Sequence, residues 1–278
     1  MDNSMSTIAI DLGGTNIRAA RVDNGIILAQ NTVECKADGT QQEVLDQIFE
    51  LVDAVVDDSV ERIGVGVPSV VDYRSGTVFD VQNIPSWREV HLKALMEASY
   101  HIPVSVDNDV NCYVLGEKHF GIAAPYDSFV GITLGTGVGA GIFVDGRLYR
   151  GHNTGAGEIG CLPYLQGNYE QYCSSQLFKQ MRLTGYELSR SAAQGNTDAL
   201  RIWQVFGQHL GKLLQVILYT YDPQAIVIGG GIAASSPYFE DAMLASMRHG
   251  FPYPHVAERV KIHFSTLQHS NLLGASTL

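Results

Sequence analysis

Cysteine is scarce in this chain. There are four in 278 residues, Cys35, Cys112, Cys161 and Cys173, and no Cys-x-x-Cys pair among them. That usage speaks against a disulfide-dense secreted scaffold and suits a reducing compartment, where such thiols are mostly small buried hydrophobes. Long apolar runs are missing too: no stretch reaches the roughly 18 uninterrupted apolar residues of a membrane span. Met1 to Thr7 lacks the charged-then-apolar order of a signal peptide. A soluble, cytoplasmic protein is expected. Charge is thin, at 17% of positions, and lopsided: 18 Lys and Arg against 29 Asp and Glu give a net −11 and a pI near 5.2. A surface of that sign repels phosphate backbones and anionic bilayers, which disfavours general nucleic-acid or membrane binding. What is plentiful is apolar material, 45% of the chain, enough for one large domain or two modest ones.

The opening pattern is strand, turn, strand: Ile8-Ala9-Ile10, a break at Gly13-Gly14, then Ile17 to Val22 and the hairpin signal Asn24-Gly25. A third strand is expected over Ile26 to Val33, and apolar residues at Val44, Leu45, Ile48, Leu51, Val52, Val55 and Val56 predict a one-faced helix over Gln41–Val56. Further strands are expected at Ile63–Val67, Pro103–Val106 and Ala225–Ile228, with helices over 91–100, 110–120, 176–194 and 198–219. The second half restarts like the first, with Phe129–Leu134, a Gly135-Thr136-Gly137 break, Val138–Val144 and Asp145-Gly146. A slide of 122 positions lays Leu12 on Leu134, Gly13 on Gly135 and Asp23 on Asp145. A repeat this distant predicts two lobes of one topology. The lobe boundary is placed within Phe120–Tyr126, where Gly and Pro interrupt the periodicity.

Five segments carry chemistry. In Asp11-Leu12-Gly13-Gly14-Thr15 the glycines let backbone N–H groups approach a phosphate, Thr15 offers a hydroxyl, and Asp11 can orient water around a divalent cation. Gly135-Thr136-Gly137 repeats that chemistry; neither turn is a P-loop, since no Gly-Lys-Ser/Thr follows. Gly229-Gly230-Gly231 after a strand fits a dinucleotide fingerprint only loosely and reads better as a platform for a base or ribose. In Asp107-Asn108-Asp109, at a strand-to-helix boundary, the default is a helix N-cap for Asp107 or Asp109. The functional alternative is an Asp accepting a proton from a substrate hydroxyl beside Asn108, which suits sugar hydroxyls. Glu158, flanked by Gly157 and Gly160, can meet a ligand or sit in an exposed turn. Glu170 alone would be a helix-start residue.

In this order the segments resemble the ROK family, bacterial sugar kinases and related repressors of the ASKHA superfamily, over nearly the whole chain. The resemblance rests on Asp11–Thr15, Gly66-Val67-Pro68, Asn108–Asn111, Leu134–Gly139, Gly157–Gly160, Asp222-Pro223 with the triple glycine, and Leu273-Gly274-Ala275. It implies an α/β, two-lobed ribonuclease-H-like fold of the actin/hexokinase type with an inter-lobe cleft. The lobes would be residues 1–120 and 121–278, with a final helix at about 270–278 packing back toward the first. It implies a sugar kinase phosphorylating a hexose or hexosamine with ATP and Mg²⁺. Asp109 would be the catalytic base, and Asn83, Asn108, Glu158 and Glu170 would bind the sugar. Gly13, Gly14 and Thr15 would hold the transferred phosphate, and Gly135, Thr136 and Gly137 the others. Gly230 and Gly231 would lie on the adenosine side, with Mg²⁺ reached through Asp11. A homodimer is the family expectation, with no nucleic-acid or membrane partner.

Three departures stand out. The family's usual histidine after Glu-x-Gly is Cys161, and the cysteine-rich run that completes a structural zinc site is absent from Leu162–Glu170. Cys161 and Cys173 alone cannot form a tetrahedral site, so no zinc is expected. Ser69 replaces a usual glycine after Pro68. Only 10 residues precede Asp11, which leaves no room for a DNA-binding segment in this sequence. The alternative to a kinase is a ROK-fold sugar sensor with weak or no turnover.

Overall fold

A computed structural model describes residues 5–278; Met1–Ser4, part of the stretch read above for a signal peptide, lie outside the described residues. The chain divides into two units. The first runs to Ala124 and takes in Arg150–Ala156 and Leu267–Leu278; the second comprises Pro125–Tyr149 and Gly157–Thr266. Besides the final helix, Arg150–Ala156 also falls in the first unit, a return that the expected division did not include.

In the first unit, β1 (Ser6–Leu12), β2 (Asn16–Asp23) and β3 (Ile26–Glu34) form an antiparallel meander, followed by α1 (Gln41–Asp53) and β4 (Val60–Val67). A small sheet of β5 (Val70–Asp72), β6 (Thr77–Phe79) and β7 (Glu89–Val90) comes next, then α2 (Leu92–Tyr100), β8 (Val104–Asn108) and α3 (Asp109–Phe120). The main sheet has the order β3-β2-β1-β4-β8, with β1, β4 and β8 parallel. Strand alternation explains how both faces are covered. Ile8, Ile10 and Leu12 join one core with Val44, Ile48, Trp87 and Met96, whereas Ala9 meets Cys112, Leu272 and Leu273 in another. A capping box between Thr40 and Glu43 starts α1, which ends at Asp53, one turn short of its apolar pattern. The final helix, Ser270–Ala275, lies in this unit against α3, backbone to backbone. A Cβ on Gly274 would overlap the Cys112 carbonyl, and one on Gly116 the Ser270 carbonyl.

The second unit opens with β9 (Phe129–Leu134), β10 (Val138–Val144) and β11 (Arg147–Leu148), then a short hairpin of β12 (Pro163–Tyr164) and β13 (Gly167–Asn168). Four helices follow, α4 (Tyr169–Cys173), α5 (Ser175–Gln180), α6 (Gly185–Ala193) and α7 (Thr197–Tyr221). The unit is completed by β14 (Ala225–Gly229), a 3₁₀ segment (Gly231–Tyr238), α8 (Glu240–Arg248), α9 (Pro254–Arg259) and β15 (Lys261–Phe264). Its sheet, β11-β10-β9-β14-β15, repeats the strand order and directions of the first. These are the two ribonuclease-H-like halves of an actin/hexokinase-type α/β fold.

Two expectations need correction. The second hairpin turn comes one residue early: Asp145 (φ 50°) and Gly146 (φ 75°) stand where Asn24 (φ 45°) and Gly25 (φ 81°) do, so Asp23 matches Val144. The reason is length, since β10 has 7 residues and β2 has 8. The single helix expected over 176–194 is two, because Arg182 turns left-handed (φ 57°) and Thr184 starts afresh in a capping box with Glu187.

Candidate functional site

In the first unit the parallel ladders set Asp11, Gly66 and Asp107 side by side at the carboxyl ends of β1, β4 and β8. Loops leaving this edge of an open sheet are where ligands bind in α/β proteins. Asp11 lies directly across from Arg18, whose Nη1 donates to Oδ2 at 3.1 Å, and Asn271 Nδ2 donates to Oδ1 at 3.4 Å. Burial still pushes the Asp11 carboxyl above its ordinary range, with Arg18 pulling the other way. Beyond it the Gly13-Gly14-Thr15 turn closes through the Gly13 N–H to the Asn16 carbonyl at 2.9 Å, with Thr15 exposed. Asn83 packs onto Gly14, where a Cβ would collide with it, so the structure brings these two expected site residues together.

At the β8–α3 junction the three polar residues have separate tasks. The cap is Asn108, not either aspartate: its Oδ1 accepts from the Val110 and Asn111 N–H groups at 2.9 and 3.3 Å, and its Nδ2 donates to the Ser69 carbonyl at 3.1 Å. Asp107 is buried and takes Arg150 Nε at 2.6 Å, Asn111 Nδ2 at 2.8 Å and the Asn108 N–H at 2.8 Å. Arg150 also lies over the Tyr73 ring, 4.8 Å from its centroid. Asp109 is left as the first residue of α3, half-buried, with Oδ1 2.9 Å from the Val110 N–H.

In the second unit the Gly135-Thr136-Gly137 turn closes from the Gly135 N–H to the Gly137 carbonyl at 3.1 Å, again with an exposed threonine. Glu170 braces this turn. Its Oε2 accepts from the Val138 N–H at 3.2 Å, its Oε1 from Gln176 Nε2 at 2.8 Å, and a Cβ on Gly137 would strike it. Glu158 and Cys161 are close by, with Cys161 Sγ 4.0 Å from Glu158 Oε2. Glu158 is exposed as a residue. Desolvation, and next the charge of Glu170, hold its carboxyl above the usual range. Gly230 (φ 85°) packs on Leu134 at the end of β9, so the third glycine cluster adjoins the second turn. The cluster leads into a 3₁₀ segment, unlike the helix of a dinucleotide fold.

Arg150, Tyr73, Asn271 and Gln176 are partners that sequence reading missed. Arg18 was within reach, since hairpin pairing alone sets it opposite Asp11. Among the described residues no group of three or more His, Cys, Asp or Glu side chains is arranged to hold a metal ion.

The model of the ROK family matches residues 7–278. The chain belongs to the ROK family. Relatives of this ROK protein include the glucokinase of Streptomyces coelicolor, 31% identical over 263 residues, covering 82% of each chain. The xylose repressor of Bacillus subtilis is 28% identical over 254 residues, covering 85% of this chain and 64% of that protein. Among solved structures, the ROK family glucokinase from Streptomyces griseus in complex with glucose and AMPPNP superimposes with a TM-score of 0.85, at 28% identity and 98% coverage of both chains. ROK relatives thus include kinases of sugars and a sugar-named repressor. No helix among the described residues is long and apolar enough to cross a membrane.

Proposed function

We propose that this ROK protein is a cytoplasmic, homodimeric kinase that transfers the terminal phosphoryl group of ATP to a hydroxyl of a hexose or hexosamine. The observation that carries the reading is the division of labour at the β8–α3 junction. Asn108 caps the helix and Asp107 holds Arg150, while Asp109, whose Oδ1 accepts from the Val110 N–H, opens α3 directly after β8 ends. Asp109 would accept the proton of the attacking hydroxyl as the new O–P bond forms and ADP departs. Glu158 and Glu170 would orient sugar hydroxyls with Asn83, and Asn108 would contribute mainly by fixing the junction, since its polar atoms are engaged. The N–H groups of Gly13, Gly14 and Thr15 would receive the transferred phosphoryl, those of Gly135, Thr136 and Gly137 the remaining phosphates, and Gly230-Gly231 the adenosine.

Magnesium would arrive with ATP and neutralise phosphate charge. Asp11 is the acid suited to it, and because both its oxygens already accept hydrogen bonds it would act through the ion's water. A second reading, a sugar sensor with little turnover, is favoured by the likeness to a repressor and by Cys161 in place of the family histidine. ADP release measured with ATP and Mg²⁺ over aldohexoses, ketohexoses and N-acetylhexosamines separates the two. The kinase reading expects sugar-dependent turnover that Asp109→Asn abolishes. Binding of a sugar by calorimetry without turnover of any would favour the sensor.

A further inference from the structure

The stretch from Leu162 to Cys173 has little of its own to hold it. Strands β12 and β13 are two residues each and α4 is five, too short to persist alone in water. Leu165 at the hairpin tip is exposed and left-handed, with φ 50°. Yet this stretch carries Glu170, which reaches both the Val138 N–H and the Gln176 amide.

Four rings supply what the backbone lacks. Tyr164, before the hairpin tip, stacks on Tyr169 at the start of α4, with centroids 4.2 Å apart and planes at 13°. Tyr172, one turn on, meets the Tyr164 ring edge-on at 5.4 Å. The Tyr164 hydroxyl lies 3.1 Å from Nδ1 of His209 on α7, and the His209 ring also faces Tyr172 at 5.0 Å. The group therefore ties hairpin and short helix to the 25-residue α7. Burial pushes the Tyr164 hydroxyl up to about 12 and lowers His209, so at neutral pH a protonated hydroxyl faces a neutral ring. In that pairing the hydroxyl donates to Nδ1 in one histidine tautomer and accepts from it in the other.

We propose that Tyr164, Tyr169, Tyr172 and His209 form a metal-free clamp that positions Glu170 against the Gly135–Gly137 turn. The zinc implied by the family resemblance does not fit the thiols of this stretch: Cys161 is exposed beside Glu158, and Cys173 is wholly buried. The four residues are positioning residues, acting through α4. The consequence for sugar affinity rests on the kinase reading; the consequence for the order of the segment does not.

The test uses the full chain with Tyr164→Leu, Tyr164→Phe and His209→Phe, read by hydrogen exchange, metal content and kinetics. Tyr164→Leu is expected to speed amide exchange over residues 162–173 about tenfold while α7 keeps wild-type protection. Tyr164→Phe keeps the stack and should recover most of that protection. Purified wild type should carry no stoichiometric zinc, and a chelator should leave its exchange unchanged. In turnover, Tyr164→Leu should raise the sugar KM about tenfold, and the KM for ATP should rise with it because Glu170 braces the turn assigned to the phosphates. Unchanged exchange in Tyr164→Leu, or stoichiometric zinc whose removal loosens residues 162–173, would overturn the clamp. Should Tyr164→Leu not fold, His209→Phe carries the same exchange reading. A protein that turns over no sugar removes the kinase reading alone, because the exchange arm still decides.

Discussion

At the level where the first sheet sets Asp11, Gly66 and Asp107 in a row, the second sheet pairs Thr133 with Gly229, and Ser265 follows the end of β15. Strand order, strand direction and the left-handed residue pair at the hairpin are common to both sheets. The carboxylates are not. In the first unit they stand on the sheet, where parallel strands hold them rigidly and Arg18 and Arg150 offset their burial. In the second unit the acids Glu158 and Glu170 stand off the sheet, on a connection between β11 and β14 that is far longer than its counterpart between β3 and β4. Duplicated topology fixes where loops emerge; what each unit does there is set by the few residues at the strand ends. The first unit suits proton and cation chemistry, the second backbone donors with two added acids.

The sharpest way to break that contrast is to neutralise one acid in each unit. Asp109→Asn should lower kcat about a thousandfold with sugar KM and melting temperature little changed, as expected of a general base. Glu170→Gln should instead act mainly on sugar KM. If Asp109→Asn only weakened binding, or if Glu170→Gln cost the larger share of kcat, the assignment of proton chemistry to the first unit would fail.

Next in size is the electrostatic support of the acid-rich edge. Asp107 has 4% of its side chain exposed, and Arg150→Met would leave its charge buried without its partner. A loss of about 3 kcal/mol in urea-denaturation stability is expected. Adding Asp107→Asn should restore part of it, since the orphaned charge is then gone. An Arg150→Met protein as stable as wild type would show that the edge needs no such offset.

The two Gly/Thr turns give a smaller, more local test. Gly135 has nothing within 4 Å of where a Cβ would stand, whereas on Gly137 it would strike Glu170. Gly135→Ala should leave stability near wild type, while Gly137→Ala should cost about 1–3 kcal/mol by overpacking and raise sugar KM by displacing Glu170. Equal behaviour of the two variants would mean that Glu170 is not braced against the turn.

The parts legible in advance were those with local signals. Asn24-Gly25 and Asp145-Gly146 announce left-handed turns, and the two Gly/Thr breaks lie where the strands end. The cap at α3 was not legible from residue type, since Asp107, Asn108 and Asp109 are all good caps; the strand's end at Asn108 decides. The Thr184–Glu187 capping box was readable, but continuous apolar spacing masked it. Arg150 and Asp107 are 43 residues apart and His209 and Tyr164 are 45, distances over which pattern carries no information. Absence of cysteine from Leu162–Glu170 argued what is missing there; only the tertiary packing shows rings in its place.

The smallest effect concerns two raised carboxyls, Asp11 in the first unit and Glu158 in the second. Asp11 is raised by burial with a cation beside it, and Glu158 by burial with an anion beside it. A carboxyl raised on folding favours the folded state most when protonated. That advantage is complete below its ordinary 4.5 and is lost as pH rises through the raised value. At neutral pH the Glu158–Glu170 repulsion is therefore fully felt, softened by solvent. Glu158→Gln should melt slightly above wild type at neutral pH, and the gap should close as the pH falls below 4.5. Because either substitution removes the same repulsion, Glu158→Gln and Glu170→Gln together should gain less than their sum. Asp11→Asn, at a carboxyl that burial raises in spite of Arg18, should by the same linkage also gain at neutral pH, and that gain should not depend on Glu170. A Glu158→Gln offset that stays constant from acid to neutral pH would mean that the two acids do not sense each other.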